Sequence, residues 1–430
     1  MSAAEHCDVL IVGGGHGGTQ VAVALRQRQY AGTIAVVSDE PHLPYERPAL
    51  SKEYLAGGRT FERMLLRPET FWRGLSIPMR LGSAVTRVDP VGRTVTLTDG
   101  AVIRYGNLVW AAGGRPRTLS CAGSHLRGIH TLRSRGDVDR LRQELPAAAR
   151  VVIVGGGYLG LEAAATLSTL GKQVTVAEAL GRVLSRVTAE PLSRFIEAEH
   201  LARGVDIRVD AVVERIEGNG ARVSGVRLRG ATDVLPADIV IAGIGIIPVV
   251  EPLLAAGAQG GNGVLVDEFG RTSLPHIYAI GDCALHHNAY AGGAAVRLES
   301  VQNAADMAIT VARAITGELE PYRALPWFWS SQYDLRVQIA GISAGHDDWT
   351  VRGDMASRSF SVIYRRQGRV IAIDCVNAAR DFMQGRTLVH KRVKAERREL
   401  ADTRLALKDL AVDGTWGDYA VAPLGRPVGN

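Results

Sequence analysis

Val9-Leu10-Ile11-Val12-Gly13-Gly14-Gly15-His16-Gly17-Gly18 is the stretch that decides the fold. Four apolar, partly β-branched residues predict a buried parallel strand. They run directly into G-x-G-x-x-G, with glycines at 13, 15 and 18, and the apolar spacing then becomes helical through Val21, Ala24 and Leu25. Strand, glycine turn and helix in that order form a dinucleotide fingerprint, with the pyrophosphate at the helix N-terminus. Asp39-Glu40 follow about 20 residues later, where a ribose-binding acid belongs.

The pattern then repeats. Val151-Val152-Ile153-Val154 leads into glycines at 155, 157 and 160, and a helix through Leu161, Ala164, Ala165 and Leu167 is expected to close at Gly171. The next strand, Val174 to Ala177, ends at Glu178. An acid there accepts both ribose hydroxyls and repels a 2′-phosphate, which favours NADH over NADPH. Arg182 and Arg186 lie nearby and are the residue type that accommodates such a phosphate. A turn-rich β segment (Ala211 to Leu228) and an apolar strand running from Ala237 to Gly245 complete the second unit.

Between the fingerprints, Pro44-Tyr45-Glu46-Arg47-Pro48-Ala49-Leu50-Ser51-Lys52 forms a proline-stiffened loop carrying one arginine and one lysine. Thr94–Leu97 and Ala101–Tyr105 flank Asp99-Gly100, a hairpin signal, and a separate strand is expected over Asn107–Ala112. Ile277-Tyr278-Ala279-Ile280-Gly281-Asp282 is a further short strand ending in Gly-Asp. A helix beginning at Glu299-Ser300-Val301 could aim its positive end at a flavin ring. From Trp327-Phe328-Trp329-Ser330 onward the apolar residues alternate, so a separate antiparallel α+β domain is expected. Past about residue 390 the charge mixture predicts an exposed helix and a loose tail.

Composition bounds the function. The 430 residues are 46% hydrophobic and 22% charged with 49 glycines, a globular chain of two or three domains. Its net charge of +6 suits an acidic partner, but no basic run is long enough or aromatic-interleaved enough for nucleic acid. Cys7, Cys121, Cys283 and Cys375 are scattered without metal or redox spacing, so no metal site is expected. The fingerprint starts too close to Met1 for a signal peptide, and no stretch is long enough for a membrane span, so a cytoplasmic protein is expected.

These motifs in this order resemble the oxygenase-coupled NADH-dependent ferredoxin reductases of the putidaredoxin-reductase type, within the glutathione-reductase structural class. The likeness covers about residues 8 to 400. It rests on the two fingerprints, Pro-Tyr-x-Arg-Pro-x-Leu-Ser-Lys (44 to 52), Leu161-Glu162, Gly281-Asp282, Arg297-Leu298-Glu299-Ser300 and Trp327-Phe328-Trp329-Ser330. It implies an α/β chain with two Rossmann-like dinucleotide-binding domains plus a C-terminal α+β domain: 1–112 and 246–320 for FAD, 113–245 for NAD, 321–405 as interface domain, 406–430 as tail. Asp39 and Glu40 would hold the FAD ribose; Arg47, Val85 (through its backbone) and Arg133 the adenine and pyrophosphate side; Asp282 the ribityl chain; Ser300, Val301 and Trp329 the isoalloxazine. Gly155, Gly157, Gly160, Glu178, Arg186 and Gly245 would hold NADH. Lys52 and Glu162 would be the catalytic pair near flavin N5.

The disulfide reductases of that class carry a cysteine pair after their first nucleotide unit, and this chain has none there. Electrons would then pass from flavin straight to an external acceptor, implied to be an acidic [2Fe-2S] ferredoxin serving a Rieske oxygenase or a cytochrome P450. Arg297, Arg313, Arg323, Arg336 and Lys391 are candidates for docking it. Two other readings stand beside this one: a rubredoxin reductase or other NADH-dependent FAD oxidoreductase, and an apoptosis-inducing-factor-like binding protein. Monomer and homodimer are both open.

Overall fold

The computed structural model describes residues 5–411. Its first sheet is organised on the opening strand, Glu5–Val12, which pairs in parallel with Ile34–Val37 on one side and Val102–Trp110 on the other. Ile277–Ala279 adds a parallel strand beyond Val102–Trp110, so the sheet is completed from far down the chain. Strands buried on both faces need continuous apolar sequence, and Val9, Leu10 and Ile11 are fully buried.

The hairpin around Asp99-Gly100 forms as expected, with Thr94–Leu97 antiparallel to the start of the next strand. That next strand is not two pieces, however. Val102–Trp110 is continuous, hairpinned at its start and running parallel to Glu5–Val12 over its length. Gly106 makes this possible: a Cβ there would lie 2.7 Å from the Asp8 carbonyl oxygen.

The second unit repeats the architecture. Its five parallel strands run Asp206–Arg208, Gln173–Ala177, Arg150–Val154, Ile239–Ala242, Ile129–His130. Its helix Tyr158–Thr169 is followed by Gly171 at φ +77°. The chain leaves the first unit through Gly114–Pro116 and returns through Ile246–Pro248, and these two segments pair antiparallel.

The last third is a five-stranded antiparallel sheet in the order Trp327–Gln332, Leu335–Gly341, Arg369–Val376, Ser359–Arg366, Asp348–Asp354, backed by the helix Ala379–Lys391. The expected loose, exposed end is corrected here as far as residue 411. Leu400 and Leu407 are fully buried against the helix Ala379–Lys391. The buried Arg352 guanidinium donates to the carbonyls of Leu400, Asp402 and Leu405 and pairs with Asp381, which anchors the segment. Residues 412–430 of the expected tail lie outside the described residues.

Asp374 ties this sheet to the second unit. One of its oxygens accepts from Thr188 Oγ1 and Tyr364 OH at 2.5 Å each, while the other has no hydrogen-bond partner among the described residues. Burial pushes its carboxyl up to about 6, so the folded protein holds a proton that the unfolded chain releases near the ordinary aspartate value. The stabilisation is complete below about pH 4 and is lost as the pH rises through about 6, with a ceiling of about 3 kcal/mol. Asp374→Asn, which copies the neutral form, should gain on the parent protein by about 2 kcal/mol in unfolding free energy between pH 4.5 and 6.5, read as a rising difference in urea midpoint. Parallel midpoints over that range would refute the assignment.

Candidate functional site

A single cavity of about 1070 Å³ runs from the first glycine loop to the second and is bordered by Trp327, Phe328 and Trp329. The two glycine loops are built alike. Gly13 and Gly155 adopt φ +110° and +109°, and a Cβ would lie 2.2 and 2.5 Å from the carbonyl oxygens of Ala111 and Gly243. The third glycines, Gly18 and Gly160, do not line the cavity. A Cβ on them would strike the carbonyls of Gly13 and Gly155 at 2.0 and 2.1 Å, so their task is to let helix meet strand.

The middle glycines differ: among the described residues nothing lies within 4 Å of where a Cβ on Gly15 or Gly157 would stand. These open cradles sit at the N-termini of His16–Gln27 and Tyr158–Thr169. Neither helix has a side-chain cap or an acid in its first turn. Unsatisfied amide donors beside open space fit the pyrophosphates of two dinucleotides.

The acids divide between tasks. Register pairs Val12 with Val37 and Val154 with Ala177, so the residue just past the second strand is Ser38 in the first unit and Glu178 in the second. Glu178 lies across its glycine loop, accepting from the backbone N–H of Gly156 at 2.7 Å and of Leu180 at 2.9 Å. Asp39 lines the cavity. Glu40 is not among the lining side chains. Its carboxylate is taken by Arg47 Nη2 and Tyr45 OH, each at 2.5 Å. Arg47 is thereby fixed, and its other nitrogen donates to the Arg133 carbonyl at 2.8 Å.

Arg133 and Asp282 meet at 3.2 Å on the cavity wall, beside Ser300 and Val301. Ser300 caps the helix Val301–Ile315 by accepting from the Asn303 N–H. Arg186 and Gly245 line the second half of the cavity, whereas Val85 sits buried at the start of a strand and does not line it. Arg297 is only 10% exposed, donates to the Asp282 carbonyl and pairs with Glu299, so it faces the cavity and not an external partner. No two of the four cysteines are joined, and only Cys121 touches the cavity.

Lys52 and Glu162 come together where the two halves of the cavity meet. Lys52 Nζ lies 2.6 Å from Glu162 Oε2 and donates also to the Pro48 carbonyl. Ser51 Oγ donates to the same carboxylate oxygen at 2.7 Å, and Ser330 Oγ donates to Oε1 at 2.7 Å.

Residue reasoning missed His16, Tyr158 and Ser330. His16 opens the first helix and lines the cavity; burial and the neighbouring Arg47 hold its imidazole below the usual histidine range. A histidine inside the glycine run was the available signal. Tyr158 lines the cavity at the start of the second helix, its ring 4.8 Å from that of Phe328.

Residues 7–308 match the model of the pyridine nucleotide-disulphide oxidoreductases, and residues 327–411 match that of the reductase C-terminal domain. The chain belongs to the pyridine nucleotide-disulphide oxidoreductases. Enzymes of this family use FAD and NAD(P)H, and this chain is a reductase of that FAD-dependent kind. Among similar proteins is a ferredoxin–NAD(P)(+) reductase of a Sphingomonas species, 57% identical over 91% of this chain and 94% of that one. Another is the ferredoxin reductase subunit of a 5,5′-dehydrodivanillate O-demethylase from a Sphingobium species, 54% identical over 94% of this chain and 98% of that one. The solved covalent putidaredoxin reductase–putidaredoxin complex superposes with a TM-score of 0.91 at 39% identity, covering 95% of this chain and 99% of that one. Among the described residues no helix is long and apolar enough to cross a membrane.

Glu178→Ala should lower the NADH-over-NADPH ratio of kcat/KM about ten-fold, the worth of one charge-assisted contact. Steady-state rates with both nucleotides measure it, and an unaltered ratio would remove Glu178 from nucleotide choice.

Proposed function

We propose that this reductase takes electrons from NADH through FAD and gives them to a [2Fe-2S] ferredoxin that supplies a Rieske oxygenase or a cytochrome P450. The observation that carries this reading is the one cavity joining two open glycine cradles, with a lysine–glutamate pair at the join and no cysteine pair beside it. The similarity to ferredoxin reductases along nearly the full chain supports the choice of acceptor.

The first unit (1–112 with 246–320) would hold FAD and the second (113–245) NADH, with 321–405 forming the interface domain. Gly15 and the first amides of the helix His16–Gln27 would receive the FAD pyrophosphate, with Asp39 on the ribose. Asp282 and Arg133 would take the ribityl and phosphate side, and Ser300, Val301 and Trp329 would border the ring system. When bound, FAD supplies the change from two-electron to one-electron chemistry, accepting a hydride at N5 and releasing electrons singly.

The chain's own work is placement and charge. Gly157 and Glu178 would fix the NADH pyrophosphate and adenosine ribose, which directs the nicotinamide toward Lys52. Lys52, braced by Glu162 and the Pro48 carbonyl, presents a cation where negative charge builds on the reduced ring. The aromatic residues Trp327, Phe328 and Trp329 exclude water from the meeting point. Arg323 and Arg336 are exposed on the C-terminal side and, with Lys391, remain candidates for an acidic ferredoxin face. Working on NADH, the enzyme would act in the cytoplasm, as a monomer or homodimer.

Mixing the yellow holoenzyme with NADH should bleach the flavin rapidly, and cytochrome c reduction should then depend on added [2Fe-2S] ferredoxin. Dependence on rubredoxin in its place would assign the protein to the other electron-transfer class. Lys52→Met should leave FAD bound and slow bleaching by about a hundred-fold, the scale of one preorganised donor at developing charge. An unchanged rate would take Lys52 out of the reaction.

A further inference from the structure

Glu162 is one end of a chain of largely buried side chains that leaves the helix Tyr158–Thr169 and returns to it at Ser168. Ser330 Oγ, which donates to Glu162 Oε1, accepts from Gln332 Nε2 at 3.2 Å. Gln332 Oε1 lies 2.9 Å from His200 Nε2, and His200 Nδ1 lies 3.2 Å from Tyr333 OH, itself 3.3 Å from Ser168 Oγ. Ser330, Gln332 and His200 are each 1% exposed or less. The chain draws on the strand Trp327–Gln332 of the C-terminal sheet and on two helices of the second unit, Tyr158–Thr169 and Glu190–Leu201.

The carboxylate fixes the direction of every bond in this chain. A carboxylate only accepts, so Ser330 spends its single proton on Glu162 and must accept from the Gln332 amide nitrogen. The amide oxygen then faces His200, whose Nε2 must carry hydrogen, leaving Nδ1 to accept from Tyr333 OH. Tyr333 in turn accepts from Ser168. All donors therefore run one way, toward Glu162. Since Lys52 and Ser51 both bind Oε2, Ser330 is, among the described residues, the one side chain donating to Oε1.

The far end is held as firmly. Tyr333 stands at φ +54°, a conformation bulky residues rarely adopt, in the two-residue turn after Gln332. The Arg203 guanidinium lies 4.4 Å over its ring and pairs with Glu199 and Asp334.

We propose that Ser330, Gln332 and His200 are positioning residues for the Lys52–Glu162 pair, so that the C-terminal domain completes the hydride-transfer site as well as offering a face to an acceptor. The inference rests on the reading of Lys52 given above. The chain aligns and does not conduct. A proton passing Gln332 would have to use its amide nitrogen, which does not release one near neutral pH, so protons exchanged in the reaction do not travel this way. Without the Ser330 donor, Oε1 is buried without a partner, the carboxylate turns, and its negative charge reaches the cofactor less compensated.

Four holoenzymes test this: Ser330→Ala, Gln332→Leu, His200→Gln and Lys52→Met. For Ser330→Ala, the saturating rate of flavin bleaching by NADH should fall about ten-fold with NADH dissociation constant unchanged. Its two-electron midpoint potential, read by dye equilibration, should move negative by up to about 30 mV, a ten-fold change in the reduction equilibrium. Gln332→Leu should shift both readings the same way and by less. His200→Gln, which keeps an N–H toward Gln332, should stay within about two-fold of the parent. Parent-like rate and potential in Ser330→Ala, with Lys52→Met slow, would overturn the inference and leave the pair standing. A parent-like Lys52→Met would instead overturn the reading on which it rests. A Gln332→Leu protein equal to the parent would confine positioning to Ser330 and overturn the role of Gln332 and His200.

Discussion

A carboxylate buried at the meeting of three domains governs the centre of this molecule. Glu162 is 6% exposed and satisfied by Lys52 and Ser51 from the first unit and Ser330 from the C-terminal sheet. Burying a charge is costly unless it is paired and hydrogen-bonded, so the three parts of the chain are held in one arrangement by the same group. The helix that carries Glu162 also carries the second glycine cradle at its N-terminus. The open glycine cradle and the ion pair are thus fixed by one rigid element.

Both glycine loops were plain in the sequence because backbone geometry leaves no substitute. A Cβ at Gly13, Gly18, Gly155 or Gly160 would stand 2.0–2.5 Å from a carbonyl oxygen, well inside van der Waals contact. The loop from Pro44 to Lys52 was legible only with the family likeness beside it, since its residues alone fit an ordinary surface loop equally well. The antiparallel C-terminal sheet followed from alternation at Leu335, Val337 and Ile339.

What escaped sequence reading were the choices made between equals. Asp39 and Glu40 are adjacent acids, and nothing local says that Glu40 will be drawn to Arg47 and Tyr45. Arg297 looked like any basic residue until the Asp282 carbonyl and Glu299 claimed it. Ser330 and Gln332 looked like ordinary strand residues. Their partners Glu162 and His200 lie 168 and 132 residues away, so the contact exists only once the fold does. Two polar residues at inward positions of one strand were the only trace.

The antiparallel contact between Gly114–Pro116 and Ile246–Pro248 has an evolutionary consequence. The second unit leaves and rejoins the first through neighbouring segments, so from the outside it behaves as one long insertion with its ends already fastened together. Closing that gap costs the first unit little chain entropy whatever the insertion contains. Recombination at this single neck can exchange the second unit while leaving the first unit's sheet intact. Among the sockets that such an exchange must match are a glutamate facing Lys52, a histidine facing Gln332, a threonine facing Asp374 and an arginine facing Asp282.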